Sequence, residues 1–414
     1  MTTTKNNEHK KLNAPNLRFP EFQGEWKESS IGEMFDLYSG NTPSRLNKEH
    51  FKGTVNWISS GELKEHYIYS SKEQISEEAA KSLKLLPVGT FVIAIYGLEA
   101  EGVRGTGSII QEPSTISQAC MSFIPKGVIE NEFLYSWYKK HGNVIGIRYA
   151  QGTKQQNLSY DILEKFRIAY PNTKEQEKLN KFISLLDERI ATQNKIIDRL
   201  QSLIKGMEDN LLDNPLWEKT YLRSFMQFFS TNSLSWEQLS YEEGEIRNLH
   251  YGLIHGFQTR GINSASLPMI KNEAVPKQYI SCQVGDVAFA DASEDTGEIA
   301  KSVEFVDTIE GNTICGLHTI HGRDIKNRTI VGFKGFAFNS RYFHNQIKRL
   351  AQGTKVFSIT ANNLSSCYVY LPDLEKQKAI VKLLRSYEEQ LIIGRMILKQ
   401  YEKQKQYLLR QMFI

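Results

Sequence analysis

Nothing in this sequence offers a ready-made catalytic centre. Its four cysteines, at 120, 282, 315 and 367, are too scattered for a CxxC or any other metal-ligand spacing, and nothing in their placement indicates disulfides. A reducing compartment is the expectation. No apolar run reaches the roughly eighteen residues of a spanning helix, and the polar stretch Met1–Lys11 has no signal-like core. The reading is a cytoplasmic protein. No Gly-x-x-x-x-Gly-Lys-Ser/Thr loop is present to cradle a nucleotide phosphate. There is little excess of charge of either sign: a net charge of +4 permits a nucleic-acid partner without arguing for one.

What is present is a repeat. Arg148, Ala150, Gln151, Gly152, Thr153 and Lys154 recur as Arg349, Ala351, Gln352, Gly353, Thr354 and Lys355, every pair 201 positions apart. The same offset relates Leu163 to Leu364, Pro171 to Pro372, Gln176 to Gln377 and Lys181 to Lys382. A shared register without gaps means duplication and two similar halves. The length of 414 residues also exceeds one ordinary core. The halves open alike: Trp26, Ile31 and Met34 match Trp217, Leu222 and Phe225, here at an offset of 191. Their interiors share little, so one architecture with two different recognition surfaces is expected.

Each repeat runs into a long heptad pattern. The first holds Leu179, Ile183, Leu186, Ile190, Gln193, Ile197, Leu200, Ile204, Met207 and Leu211 at alternating steps of four and three. The second holds Ile380, Leu384, Tyr387, Leu391, Gly394, Leu398, Tyr401, Lys405, Leu408 and Met412, with Gly394 and Lys405 breaking the seam. Asn172 and Asp373 are N-cap residues directly after a proline, and Glu175 completes a capping box. Each helix would span roughly 60 Å and needs a partner for its stripe; the other copy, antiparallel on a pseudo-two-fold axis, is the nearest.

The remaining signals give an α/β class with mixed domains. Strands are predicted at Val55–Ile58 and Thr90–Tyr96, and a helix over Glu130–His141 with Phe133, Leu134 and Trp137 on one face. The glycine series 97, 102, 105 and 107 is a loop that either approaches a ligand or is a surface connection. The organisation expected is a disordered tail (1–14), a domain (15–155), a helical region (156–214), a second domain (215–356) and a second helical region (357–414). Two such domains on rigid helices suit the half-sites of a duplex; a coiled-coil scaffold is the competing reading.

LRFPEF with Trp26, Gly40-Asn41-Thr42-Pro43, Trp57-Ile58, Ala94-Ile95-Tyr96-Gly97, Gln118-Ala119-Cys120 and Gly152-Thr153-Lys154-Gln155-Gln156-Asn157-Leu158 follow one another along the first half. In this order they resemble the specificity subunits of type I restriction-modification enzymes. Gly285-Asp286, Ala290-Asp291-Ala292-Ser293-Glu294-Asp295 and Gly316-Leu317-His318-Thr319 resemble a second recognition-domain type. The resemblance implies two target recognition domains, each reading half of a bipartite site in double-stranded DNA. It implies helices that fix the unread spacer and dock two methyltransferase subunits, and restriction subunits that join them. It implies no catalysis in this chain, with S-adenosylmethionine, ATP and Mg on the partners.

Backbone contact needs cations and small-residue amides. Arg148, Gly152, Thr153 and Lys154 supply them in one half, and Arg349, Gly353, Thr354 and Lys355 in the other. A tight domain-to-helix turn explains the same residues equally well. Base readout falls to residues that differ between halves: Ser44, Arg45, Arg104 and Gln118, then Arg260, Ser293 and His318. Asn214-Pro215-Leu216-Trp217 narrowly misses the Asn-Pro-Pro-aromatic motif of amino-methyltransferases. His318 and His321 would need a third ligand to hold a metal, so no metal site is expected.

Overall fold

The structure is a computed structural model that describes residues 13–100, 102–152, 156–257, 260–307, 309 and 311–414. The predicted tail lies outside these residues up to position 12. Asn13 is already fixed, accepting from the Trp26 amide at 2.7 Å. The chain divides into two compact units, Met1–Asn194 with Met396–Ile414, and Lys195–Arg395.

In the first unit the strands are β1 (Lys27–Ser30), β2 (Phe35–Ser39), β3 (Val55–Ile58), β4 (Tyr67–Ile68), β5 (Glu73–Ile75), β6 (Phe91–Ala94), β7 (Gly107–Ile110), β8 (Ser114–Ile116), β9 (Cys120–Pro125) and β10 (Arg167–Tyr170). The central sheet has the order β2-β9-β6-β7-β4. β6 is Phe-Val-Ile-Ala with every side chain buried, as expected of a strand covered on both faces. The second unit carries β11 (Glu218–Tyr221), β12 (Met226–Phe229), β13 (Leu239–Ser240), β14 (Ile246–Leu249), β15 (Gly261–Ile262), β16 (Met269–Ile270), β17 (Val287–Ala290), β18 (Ala292–Ser293), β19 (Ser302–Phe305), β20 (Asn312–Cys315), β21 (Thr319–Asp324), β22 (Phe357–Ser358) and β23 (Tyr368–Leu371). Its central sheet runs β12-β21-β17-β19-β15.

The two orders are the same. In each sheet the edge strand is parallel to its neighbour, β4 to β7 and β15 to β19. A smaller sheet in each unit holds one parallel pair, β3 with β8 and β14 with β20. Interiors without common sequence therefore share a topology, because burial pattern and strand length are kept where residue identity is not.

Residues 156–170 and 357–371, read from sequence as parts of the helical regions, carry strands instead. β10 pairs antiparallel with β1, and β23 with β11, so the last strand of each unit returns to its first. Pro171 and Pro372 then end the strands, and the long helices start at Thr173 and Leu374. The predicted 130–141 helix is longer, Asn131–Tyr149, and its first half is buried on nearly all sides rather than along one stripe.

The long helices, Thr173–Leu212 and Leu374–Met412, contribute one end each to both units. In the first unit Leu179, Ile183 and Leu186 share a core with Leu409, Met412 and Phe413. In the second, Leu212 shares a core with Ile380, Val381 and Leu384. In both units the start of one helix meets the end of the other, so the pairing is antiparallel.

The seam departs from strict heptads at the C-terminal ends. Glu208 and Leu212 are buried where Met207 and Leu211 were expected, and Leu409 where Leu408 was. A helix of 3.6 residues per turn drifts about 20° per heptad against a 3.5 repeat, so the buried stripe slips by one residue. Ile190, Leu200, Tyr387, Leu398, Tyr401 and Leu408 are half-buried, whereas Ile197, Ile204 and Leu391 are buried. Neither supposed break is one. Gly394 is buried, and Lys405 forms an ion pair with Asp187 in the first unit.

Candidate nucleic-acid interface

Strand register gathers the candidate residues at one end of each sheet. Ser39 lies opposite Met121, Ala94 opposite Cys120, and Ile93 opposite Gly107. The end of β2, the end of β6, the start of β7 and the start of β9 therefore meet. The loops there are 40–47, 95–106 and 117–119. They hold Ser44 and Arg45, Arg104, and Gln118.

The first of these loops is seated closely. A β-carbon on Gly40 would lie 2.0 Å from the Ile116 carbonyl oxygen, so only glycine fits. Thr42 Oγ1 donates to Gln118 Oε1. Trp57 Nε1 donates to the Asn41 carbonyl at 2.9 Å. The Arg45 guanidinium stacks over Phe51 at 4.1 Å and lies 5.2 Å from the Trp57 ring. It also forms a two-bond pair with Glu73 at 2.6 and 2.7 Å. Arg45 is thus held in one orientation, with Glu73 competing for it; Ser44 beside it is exposed. Arg104 is less available. Its side chain lies flat on the helix at Gly146, where a β-carbon would come within 2.6 Å of its Cγ.

The duplicated motif is a closed turn in both units. Gln151 and Asn157 exchange two backbone hydrogen bonds of 2.8 Å, and Gln352 and Ser358 do the same at 3.0 and 2.8 Å. Gly152 has φ +117 and Gly353 φ +131. A β-carbon on Gly353 would stand 1.9 Å from the Val356 carbonyl oxygen. The geometry of the turn demands these glycines, which is the tight-turn reading. Thr354 and Lys355 nonetheless project from it exposed, and Arg148 and Arg349 are exposed at the ends of the preceding helices. Thr153 and Lys154 lie outside the described residues. The turn joins the same sheet end, for Tyr96 bridges Asn157 and the Leu98 amide donates to the Gln156 carbonyl at 3.0 Å.

In the second unit Phe229 lies opposite His321 and Ala290 opposite Thr319, bringing together loops 230–235, 291–301 and 316–318. Ser293 pairs with Phe357, tying β18 to the strand that closes the duplicated turn. Ser293 Oγ accepts from the Asp295 amide at 3.1 Å, and Asp295 Oδ1 from the Gly297 amide at 2.7 Å. These acceptors are spent on their own loop. His318 is half-exposed and contacts Asp291 through Nδ1 at 3.1 Å. Sequence reasoning missed the ring series beside it. Trp236, His250, Tyr251 and His318 follow one another at 4.5, 4.7 and 5.3 Å. Burial, with the nearby His318, pushes the His250 ring below the usual histidine range. No motif marks these residues; only the chain reversal at β14 brings them together.

Arg260 directs its side chain toward the long helices. Its Nε lies 3.7 Å from Glu208, and its amide donates to Glu388 at 3.3 Å. It lines a cavity of about 580 Å³ with Glu208, Arg341, Lys348 and Glu388. Burial raises Glu388 to about 7 despite the opposing pull of Arg260. The same cavity is lined by Gly297, Glu298 and Lys301 of loop 291–301, so Arg260 stands between that loop and the carboxylates of the long helices.

His318 and His321 do not converge either. His321 is buried and meets Asp286 at 2.8 Å, while Arg323 grips the same carboxylate through two nitrogens. Burial alone would raise Asp286, but these donors hold it below the usual carboxylate range. The distant cysteines do approach: Cys282 and Cys315 sulfurs are 3.5 Å apart, and with His321 they form the one group of three ligand-type residues among those described. The hydrogen bond shared with Cys282 and burial push the Cys315 thiol well up. Asn214 is a turn residue, its Oδ1 accepting from the Leu216 amide at 3.0 Å. Its carboxamide oxygen is therefore engaged at the helix end.

No helix among the described residues is long and apolar enough to cross a membrane. Comparison with known proteins agrees with the geometry. The chain is 24% identical over 412 residues to the type I restriction enzyme MjaVIII specificity subunit of Methanocaldococcus jannaschii, covering 94% of this chain and 91% of that one. It is 31% identical over 189 residues to the EcoR124I/EcoR124II specificity subunit of Escherichia coli, and 29% over 185 to the MjaIX subunit of M. jannaschii. These two alignments span 45% and 42% of the relatives, less than half of their length. The crystal structure of the S subunit of a type I restriction-modification system from M. genitalium shares the fold, with a TM-score of 0.58 at 15% identity over 97% of this chain and 99% of that one. The family profile described as the type I restriction modification DNA specificity domain matches residues 23–202 and 262–403, and the chain belongs to that family.

Proposed function

We propose that this chain is the DNA-recognition subunit of a type I restriction-modification complex. Each unit reads one half of a bipartite site with the loops at its sheet end, and the long helices fix the unread gap. One observation carries this reading: two sheets of the same strand order each carry the same closed turn, beside loops of different sequence. Common parts suit the phosphate backbone, which is alike everywhere, and differing parts suit bases, which are not. The chain then performs no chemistry itself. Two methyltransferase subunits bring S-adenosylmethionine, and restriction subunits bring ATP and Mg. A cytoplasmic location follows from that role.

Methylation mapping tests it. The chain is co-expressed with its methyltransferase subunits, and methylated adenines are located across the host genome. A split motif with a fixed gap is expected. Exchange of residues 217–371 for an unrelated recognition domain should change one half-site only. An unsplit motif, or identical sites after the exchange, would overturn the proposal. A pure scaffold predicts no salt-dependent DNA binding with partners present, and a stand-alone methyltransferase predicts S-adenosylmethionine binding by the chain alone.

A further inference from the structure

His318 holds a backbone conformation that histidine seldom takes. Its φ is +52, in the left-handed region, where a β-carbon crowds the following carbonyl. The turn is fixed from both sides. The Gly316 amide donates to Leu249 at 2.9 Å, and the Asp291 amide to the His318 carbonyl at 3.0 Å. Glycine would adopt this φ without strain. The imidazole is half-exposed, so it does not fill the core. Strain kept for the sake of a solvent-facing polar side chain points to a role outside the fold.

The ring is oriented as well as presented. Nδ1 meets the Asp291 carboxylate at 3.1 Å, and the Tyr251 ring packs edge-on at 5.3 Å. A carboxylate only accepts hydrogen bonds, so Nδ1 carries the proton of the neutral ring. Nε2 is left with its lone pair. Asp291 also anchors the site to the duplicated turn, for its carbonyl accepts from the Ile359 amide at 2.9 Å, directly after β22.

We propose that His318 Nε2 reads the exocyclic amino group of a base in the second half-site, with Asp291 as the positioning residue that fixes the tautomer. In the major groove the amino groups are adenine N6 and cytosine N4; guanine O6 and N7 and thymine O4 are acceptors that a lone pair repels. Ser293 Oγ and Asp295 Oδ1 each accept one amide of their own loop. His318 adds an acceptor whose orientation Asp291 fixes.

The inference rests on the proposed DNA-recognition role, and one experiment separates the two. The full chain and its variants are co-expressed with the methyltransferase subunits, and methylation sites are mapped. His318→Gly is expected to leave the first half-site and the gap unchanged. One position of the second half-site loses discrimination by about tenfold or more. Its thermal midpoint stays within about 3 °C, because glycine relieves the backbone while losing the partly exposed contacts with Asp291 and Tyr251. Asp291→Asn can donate to Nδ1 and so put the proton on Nε2; preference at that same position then shifts toward guanine or thymine. An unchanged second half-site in both variants overturns the inference, as does a large fall in the midpoint of His318→Gly. Absence of any split motif with the unaltered chain would instead overturn the underlying role, and this assignment with it.

Discussion

Gly353 shows what a single residue decides here. Its φ of +131 and the 1.9 Å approach of a β-carbon to the Val356 carbonyl leave no room for a side chain. Gly353→Ala should destabilise the second unit by about 1–3 kcal/mol, read from urea unfolding. Two titrating residues make a second residue-scale prediction. Glu388 is raised to about 7 by burial, so the fold favours its protonated form. Its stabilisation is complete below the unfolded value and is lost as pH rises from about 4.5 through 7. Glu388→Gln keeps an acceptor for the Arg260 amide and should add about 2 kcal/mol at pH 8. His66 behaves similarly in a higher window. Burial would lower it, but hydrogen bonds to Asp187 and Glu132 outweigh burial and leave it raised. Its contribution is present below the unfolded value of about 6.5 and lost as pH rises beyond it. Urea midpoints at pH 5, 6.5 and 8.5 should therefore flatten below 7 in Glu388→Gln and above 6.5 in His66→Gln. None of this was legible in sequence, because His66, Glu132 and Asp187 are joined only by folding.

At the scale of elements, the start of each long helix is fixed by a buried glutamine. Gln176 donates to the carbonyls of Val128 and Pro171 at 3.0 Å and accepts from the Glu130 amide at 3.0 Å. Gln377 does the same with Arg328, Pro372 and the Ile330 amide, all at 3.0 Å. The 201-residue offset had matched these glutamines without giving a reason for it. The reason is that three backbone groups in each unit, the proline carbonyl among them fully buried, have this side chain as partner. Gln377→Leu is of similar volume yet strands all three, and should cost about 3 kcal/mol in urea unfolding. The N-caps were legible: Asn172 Oδ1 accepts from the Glu175 amide at 3.1 Å, and Asp373 Oδ1 from the Lys376 amide at 2.8 Å. The capping box was not, because the Glu175 carboxylate turns instead to Arg18, at 2.7 Å through two nitrogens, and to Trp26. A charged partner 157 positions away outcompetes a local amide, and local pattern cannot reveal it.

For the whole chain, the duplication was plain in the frames and hidden in the interiors. Sheet order is fixed by which strands are buried and how long they are, so it survived the loss of residue identity; the reading loops had no such constraint. The division between the units falls at 194/195 and at 395/396, again 201 positions apart. That spacing tells where the helices can be lengthened. An insertion near 171–178 would break the Glu175 and Gln176 contacts and disturb recognition along with spacing. Seven residues inserted after Asn194 and seven after Arg395 leave every contact within each unit in place. Two helical turns add about 10 Å, or about three base pairs at roughly 3.4 Å each. Mapped methylation should then show both half-sites unchanged and the gap longer by about that number. If the gap stayed constant while the half-sites persisted, the helices would not set the spacer. Loss of all methylation from a chain that still unfolds at the original urea midpoint would place their role in holding the partner subunits instead.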